Sequence, residues 1–174
     1  MEDNMNKLLV VVDMQKDFID GALGTPQAQA IVPGVLEKIR HYHKAGDDIV
    51  FTMDTHTQDY LDTQEGRKLP VPHCIKGTAG FELTGELAPY ASVVFEKPAF
   101  GSLTLAEYAS GGEYDQIELI GLCTDICVIS NALLLKSYLP ESRIMVDSGC
   151  CAGVTPESHE NALEAMRMCQ IEIL

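Results

Sequence analysis

Short apolar runs rich in Val, Ile, Leu and Phe recur along the chain, with helical patterns between them. The runs are Lys7–Val12, Asp48–Met53, Ser92–Glu96, Gln116–Gly121 and Arg143–Asp147, with the terminal Ile171–Leu174 as a sixth, and their length and composition predict strands. Start signals mark the helices. Pro33 suits a first turn ahead of Val35, Leu36 and Ile39, and Thr155-Pro156 reads as an N-cap and N1 proline ahead of Ala162, Leu163 and Met166. A third helix is predicted over about Asp125 to Tyr138, stopping before Pro140, with Leu133, Leu134 and Leu135 too apolar to face water.

Strands that alternate with helices, and that are near-continuously apolar, predict an α/β fold: a three-layer α/β/α arrangement around a parallel, doubly wound sheet of about six strands. No repeat, low-complexity segment or linker interrupts residues 1–174, which read as one domain. The one long irregular stretch, Asp54 to about Gly80, contains Gly66, Pro70, Pro72, Gly77 and Gly80, and connections of that length in a compact domain are usually functional.

Charge narrows the partners. Over 174 residues, 12 Lys and Arg against 26 Asp and Glu leave a net charge of −14. Such a surface repels nucleic acid and anionic bilayers, and no basic run offsets it. The longest apolar run, Leu8–Val12, is far too short to span a membrane. Met1-Glu2-Asp3-Asn4 is acidic where an export signal is basic. The six cysteines (74, 123, 127, 150, 151 and 169) therefore read as reduced thiols in a cytoplasm, and their spacing is not that of a zinc finger.

In open α/β sheets ligands bind beyond the carboxyl ends of the strands. Asp13 follows the first run, Asp54 and His56 the second, Lys97 the third, and Cys123-Thr124-Asp125-Ile126-Cys127 the fourth. Cys127 is the candidate nucleophile, since the first turn of a helix favours a thiolate. A neighbouring Lys97 would lower the thiol pKa further, and Asp13 could take and return protons. A second constellation joins Asp54 and His56, on one side of an extended segment, with His73 from the long loop. One carboxylate and two imidazoles suit Zn²⁺, Fe²⁺ or Mn²⁺, with Asp59, Asp62 and Glu65 as further carboxylates nearby. His41, His43 and His159 read as surface residues.

These segments resemble the isochorismatase-like cysteine hydrolase superfamily, and within it the nicotinamidase (pyrazinamidase-type) branch. The matching strings are Val12-Asp13-Met14-Gln15-Lys16-Asp17-Phe18, Asp54-Thr55-His56, Pro72-His73-Cys74-Ile75-Lys76-Gly77-Thr78, Phe95-Glu96-Lys97 and Gly121-Leu122-Cys123-Thr124-Asp125-Ile126-Cys127-Val128. The resemblance implies a catalytic triad of Asp13, Lys97 and Cys127, a non-proline cis peptide just before Cys123, and an oxyanion hole from the backbone N–H groups of Cys123 and Cys127. It implies a divalent metal, zinc before iron or manganese, on Asp54, His56 and His73, with Glu65 or else Asp62 completing the set. It further implies a small-molecule amide substrate, a pyridine nitrogen held by the metal, and assembly into homo-oligomers.

One departure bears on the substrate. Leu69 and Pro70 stand where the branch commonly places a ring-packing aromatic. Phe18, Phe100 and Leu122 remain to form the wall with Leu69. Two other readings stay open: a hydrolase of the same superfamily acting on a different small amide or carbamoyl group, and a non-catalytic binding or redox-sensing protein with Cys127 as an oxidisable thiol.

Overall fold

Continuous apolar segments bury on both faces, and all of them here join one sheet. A computed structural model describes residues 5–174; the acidic Met1-Glu2-Asp3-Asn4, on which the expectation about export rests, lies outside the described residues. The strands are β1 (Lys7–Val12), β2 (Asp48–Asp54), β3 (Val94–Lys97), β4 (Gln116–Leu122), β5 (Arg143–Ala152) and β6 (Glu172–Ile173), all parallel, in the order β3-β2-β1-β4-β5-β6. β5 runs well past Asp147, because a register shift between Leu119 and Gly121 lets it continue beside β4 to Ala152.

The helices are α1 (Lys16–Ile19), α2 (Pro26–Ala45), α3 (Gln64–Lys68), α4 (Leu103–Gly111), α5 (Ile129–Tyr138) and α6 (Pro156–Met168). Alternate residues of β1 sort them into two layers. Leu9 and Val11 pack with Ile31, Val35 and Ile39 of α2, whereas Leu8, Val10 and Val12 pack with Leu105 of α4, Leu135 of α5 and Leu163 of α6. Among the described residues, no helix is long and apolar enough to cross a membrane.

Several boundaries differ from expectation. α2 begins at Thr25-Pro26, where the Thr25 hydroxyl accepts from Ala28 N at 3.0 Å, and Pro33 lies inside the helix. The buried stripe of Ile31, Val35, Leu36 and Ile39 carries α2 through the N–H that Pro33 lacks. α6 does start at Thr155-Pro156, closed by a capping box between Thr155 and Ser158. Residues 124–128 form a π-type turn before α5. Leu135 is fully buried but Leu133 is exposed, since consecutive helical positions turn by about 100° and cannot share one face.

Two features fix how the layers meet. Gly121 has φ +116°, and a Cβ there would meet the Val12 carbonyl oxygen at 2.2 Å; glycine lets β4 close on the end of β1. On the α2 side, Lys38 Nζ lies 2.6 Å from Glu118 and 2.8 Å from Asp147, while the Tyr42 hydroxyl donates to Glu118 at 2.6 Å.

Candidate active site

The ends of β1, β2, β3 and β4 are adjacent in the sheet, so the residues that follow them converge. Asp13 has φ +48°, a left-handed turn that Asp tolerates better than most residues, and it is fully buried. Its Oδ1 accepts from the Thr52 hydroxyl at 2.6 Å, and its Oδ2 lies 2.7 Å from Lys97 Nζ. The same ammonium donates to Cys127 Sγ at 3.2 Å and to the Ala99 carbonyl at 3.1 Å, and stands 3.7 Å from Asp54 Oδ1. Lys97 thus joins the three strand ends at one point.

Burial is the largest influence on each of these groups. It pushes the Asp13 carboxyl above its ordinary range, with Lys97 pulling the other way. Burial opposes charge on Lys97, but Asp13 and the other acids around it outweigh that and raise it, so the ammonium persists. Burial and the Asp13 charge hold the proton on Cys127 more firmly than on a free thiol, despite Lys97. Lys97 does lower the thiol pKa as expected, but the net direction is upward. Cys127 sits in the π-type turn beneath the apolar wall, and desolvation exceeds what the lysine supplies.

The second cluster lies in the same cavity. Single donor atoms of Asp54, His56, Glu65 and His73 all fall within 4.8 Å of one another. His56 Nε2 is 3.0 Å and His73 Nε2 3.4 Å from Asp54 Oδ2, and they stand 3.6 and 3.8 Å from Glu65 Oε1. The Val71 carbonyl lies 2.8 Å from His73 Nδ1, which places a proton on Nδ1 and turns Nε2 toward Asp54 and Glu65. Burial would raise Asp54, but hydrogen bonds from His56 and His73, with Lys97 nearby, hold it well below the carboxylate range. Burial and the Asp54 charge push Glu65 up. Two imidazole nitrogens and two carboxylates form a donor set that fits a divalent ion. Asp59 and Asp62 are exposed and stand outside it.

A cavity of about 710 Å³ opens onto both clusters, and Phe18, Leu69, Phe100 and Leu122 all line it together with Cys123 and Cys127. The Phe18 ring packs 5.4 Å from that of His73. The peptide between Leu122 and Cys123 is cis.

Some site residues had no role assigned from sequence. Gln15, fully buried, brackets Asp54 by accepting from its N–H at 2.8 Å and donating to its carbonyl at 2.9 Å. Asp17 accepts from the Cys74 N–H at 2.8 Å, fixing the chain just after His73. Tyr60 lies buried under both imidazoles of the cluster, with ring centres 4.7 Å from His56 and 5.0 Å from His73. Gln15 and Asp17 fall within a matching string, but only their distant partners reveal what they hold. His41 and His43 are exposed as expected. His159 is not: its side chain is 16% exposed and its Nδ1 lies 2.7 Å from the buried Thr124 hydroxyl. The extended lead into α6 turns that ring toward β4.

Residues 7–174 match the family model described as the isochorismatase domain. The chain is 30% identical to the isochorismatase family protein PncA of Bacillus subtilis over 91% of this chain and 93% of that protein. It is 26% identical to the nicotinamidase/pyrazinamidase of Mycobacterium tuberculosis over 97% and 98% of the two chains. The pyrazinamidase of Pyrococcus horikoshii, solved in complex with zinc, superposes with a TM-score of 0.84 at 30% identity, covering 97% of this chain and 98% of that one.

Proposed function

Because the chain belongs to the isochorismatase family, we propose that it is a metal-dependent cysteine amidohydrolase that converts nicotinamide, or a close aromatic amide, to the acid and ammonia. The carrying observation is that Lys97 meets both Asp13 and Cys127, at 2.7 and 3.2 Å, and that Cys127 lines the cavity that the four-ligand cluster also lines. Nicotinamidase relatives of similar length support the substrate class.

In this reading Asp13 takes the proton from Cys127 as the sulfur attacks the amide carbonyl carbon. Backbone N–H groups of Cys123 and Cys127 receive the oxyanion, each such donor being worth roughly 10²–10³ in rate. The C–N bond breaks, Asp13 passes its proton to the departing nitrogen, and ammonia leaves a thioester. Water then attacks the thioester, Asp13 accepts its proton, and the thiol is regenerated with the free acid. Lys97 keeps a positive charge beside whichever of Asp13 and Cys127 is ionised.

Asp54, His56, Glu65 and His73 would hold the metal, zinc by analogy with the Pyrococcus relative, and the bound ion supplies a Lewis acid for a ring nitrogen. Phe18, Leu69, Phe100 and Leu122 would flank the ring. Leu69 is less confining than an aromatic residue, so larger amides are admitted. A cytoplasmic setting, supported by the six free thiols, completes the reading.

Ammonia release measured over nicotinamide, pyrazinamide, an aliphatic amide and a carbamoyl compound tests the proposal. Nicotinamide is expected to show the highest kcat/KM, and Cys127→Ala to abolish turnover while remaining folded and metal-loaded. Turnover retained by that variant sinks the mechanism, and preference for the carbamoyl compound sinks the substrate assignment.

A further inference from the structure

Thr124 opens the turn that carries Cys127, and its side chain is fully buried. The hydroxyl's one hydrogen-bond partner among the described residues is His159 Nδ1, at 2.7 Å from a position thirty-five residues later in the chain. A buried hydroxyl that loses its partner is left unsatisfied away from water, so this bond defines where the turn sits.

The same helix end grips the turn a second time. Asp125 accepts from the Val154 N–H at 3.1 Å, and Gly153 is packed so tightly that a Cβ there would lie 2.8 Å from the His159 nitrogen. The His159 N–H itself donates to the Thr155 carbonyl at 3.0 Å, so the capping box of α6 sets where His159 stands. Beneath the turn, the Cys123 carbonyl accepts from both Ile126 and Val128, at 3.1 and 3.0 Å. The backbone around Cys127 is thus held from inside by its own turn and from outside by α6.

We propose that His159 is a positioning residue for the nucleophile turn, acting through the Thr124 hydroxyl to hold Cys127 and the adjacent N–H groups in register with Asp13 and Lys97. The inference rests on the cysteine-hydrolase reading above. His159 lies outside the residues lining the substrate cavity, so its effect falls on attack geometry rather than on substrate binding. A displacement of about 1 Å in such a site costs on the order of 10²-fold in rate.

The test compares His159→Ala, His159→Asn, Thr124→Val and the His159→Ala/Thr124→Val double variant. Two readouts apply: nicotinamide kinetics, and the rate at which iodoacetamide labels Cys127, followed by peptide mass spectrometry. His159→Ala is expected to lower kcat by roughly 10- to 100-fold with KM nearly unchanged, and to slow Cys127 labelling in step. Thr124→Val should show the same loss, and the double variant should lose no more than either single, because all three break one bond. The amide of His159→Asn, which reaches the place of Nδ1, should restore most of the rate.

A kcat for His159→Ala close to the native value overturns the proposal, as do losses that multiply in the double variant. A lowered Tm with both readouts intact overturns it as well, since His159 would then only support α6. Should His159→Ala fail to fold, Thr124→Val decides: native kcat and labelling there also overturn it. If the native protein does not hydrolyse nicotinamide, the substrate reading fails while the labelling rates still decide the role of His159.

Discussion

Lys97 Nζ stands 3.2 Å from the Cys127 sulfur, yet the thiol keeps its proton, because burial and the Asp13 charge oppose ionisation more than the ammonium favours it. The ion pair of the resting site is therefore Lys97 with Asp13, at 2.7 Å. In the proposed mechanism the cysteine becomes a thiolate only as Asp13 accepts its proton, so Asp13 and Cys127 share one negative charge beside the Lys97 ammonium throughout.

Removing the cation should expose that balance. Lys97→Met leaves the fully buried Asp13 carboxylate without its partner, and breaking a buried pair on one side costs about 3–5 kcal/mol. Denaturant unfolding should show a loss of that order, and amide hydrolysis should fall below detection. Native stability in this variant would mean that Asp13 is protonated in the folded protein.

The acid limb of kcat/KM should lie above the ordinary carboxylate range, because burial raises Asp13. Asp13 works as a base only when ionised, so activity falls as pH drops through the raised value. The Thr52 hydroxyl stabilises the carboxylate by donating at 2.6 Å, hence Thr52→Val should move this limb to still higher pH. A limb unmoved, or moved to lower pH, would assign the titration to another group.

Gln15→Ala should loosen the metal. It frees both the N–H and the carbonyl of Asp54, which Gln15 now brackets, and partners that orient a ligand are worth about 10–100-fold in affinity. Chelator competition followed by elemental analysis should show metal lost at a lower chelator concentration than from the native protein, with the circular dichroism spectrum preserved.

Away from the site, Lys38 outweighs the burial of Asp147 and holds that carboxyl below its ordinary value. The folded state then binds fewer protons than the unfolded chain, so this stabilisation is present above about pH 4 and is lost as pH falls through the lowered value. Asp147→Asn should lower the urea midpoint at about pH 6 and shrink the decline between about pH 5 and pH 3. Equal declines in both proteins would remove Asp147 from acid unfolding.

Local signals carried much of the architecture. The apolar run from Leu8 to Val12, and the run from Ile117 to Ile120 that only Glu118 interrupts, suit burial on both faces, so a parallel sheet covered by helices was legible from the chain alone. Strand ends in such a sheet gather in one crevice, and that brought Asp13, Asp54, Lys97 and Cys127 into one candidate site before any distance was known. Thr155-Pro156 marked α6 by the same local logic, whereas at α2 the competing Thr25-Pro26 cap outranked Pro33.

Tertiary structure decided what depends on partners far along the chain or on the depth of burial. The proton on Cys127 is set by desolvation, which no spacing encodes. The bracket of Gln15 on Asp54 spans 39 residues and that of His159 on Thr124 spans 35. His159 reads as a surface histidine in sequence because its periodicity describes only its own helix. Its hydrogen bond exists because the sheet order sets β5 beside β4, and so brings the start of α6 against the nucleophile turn.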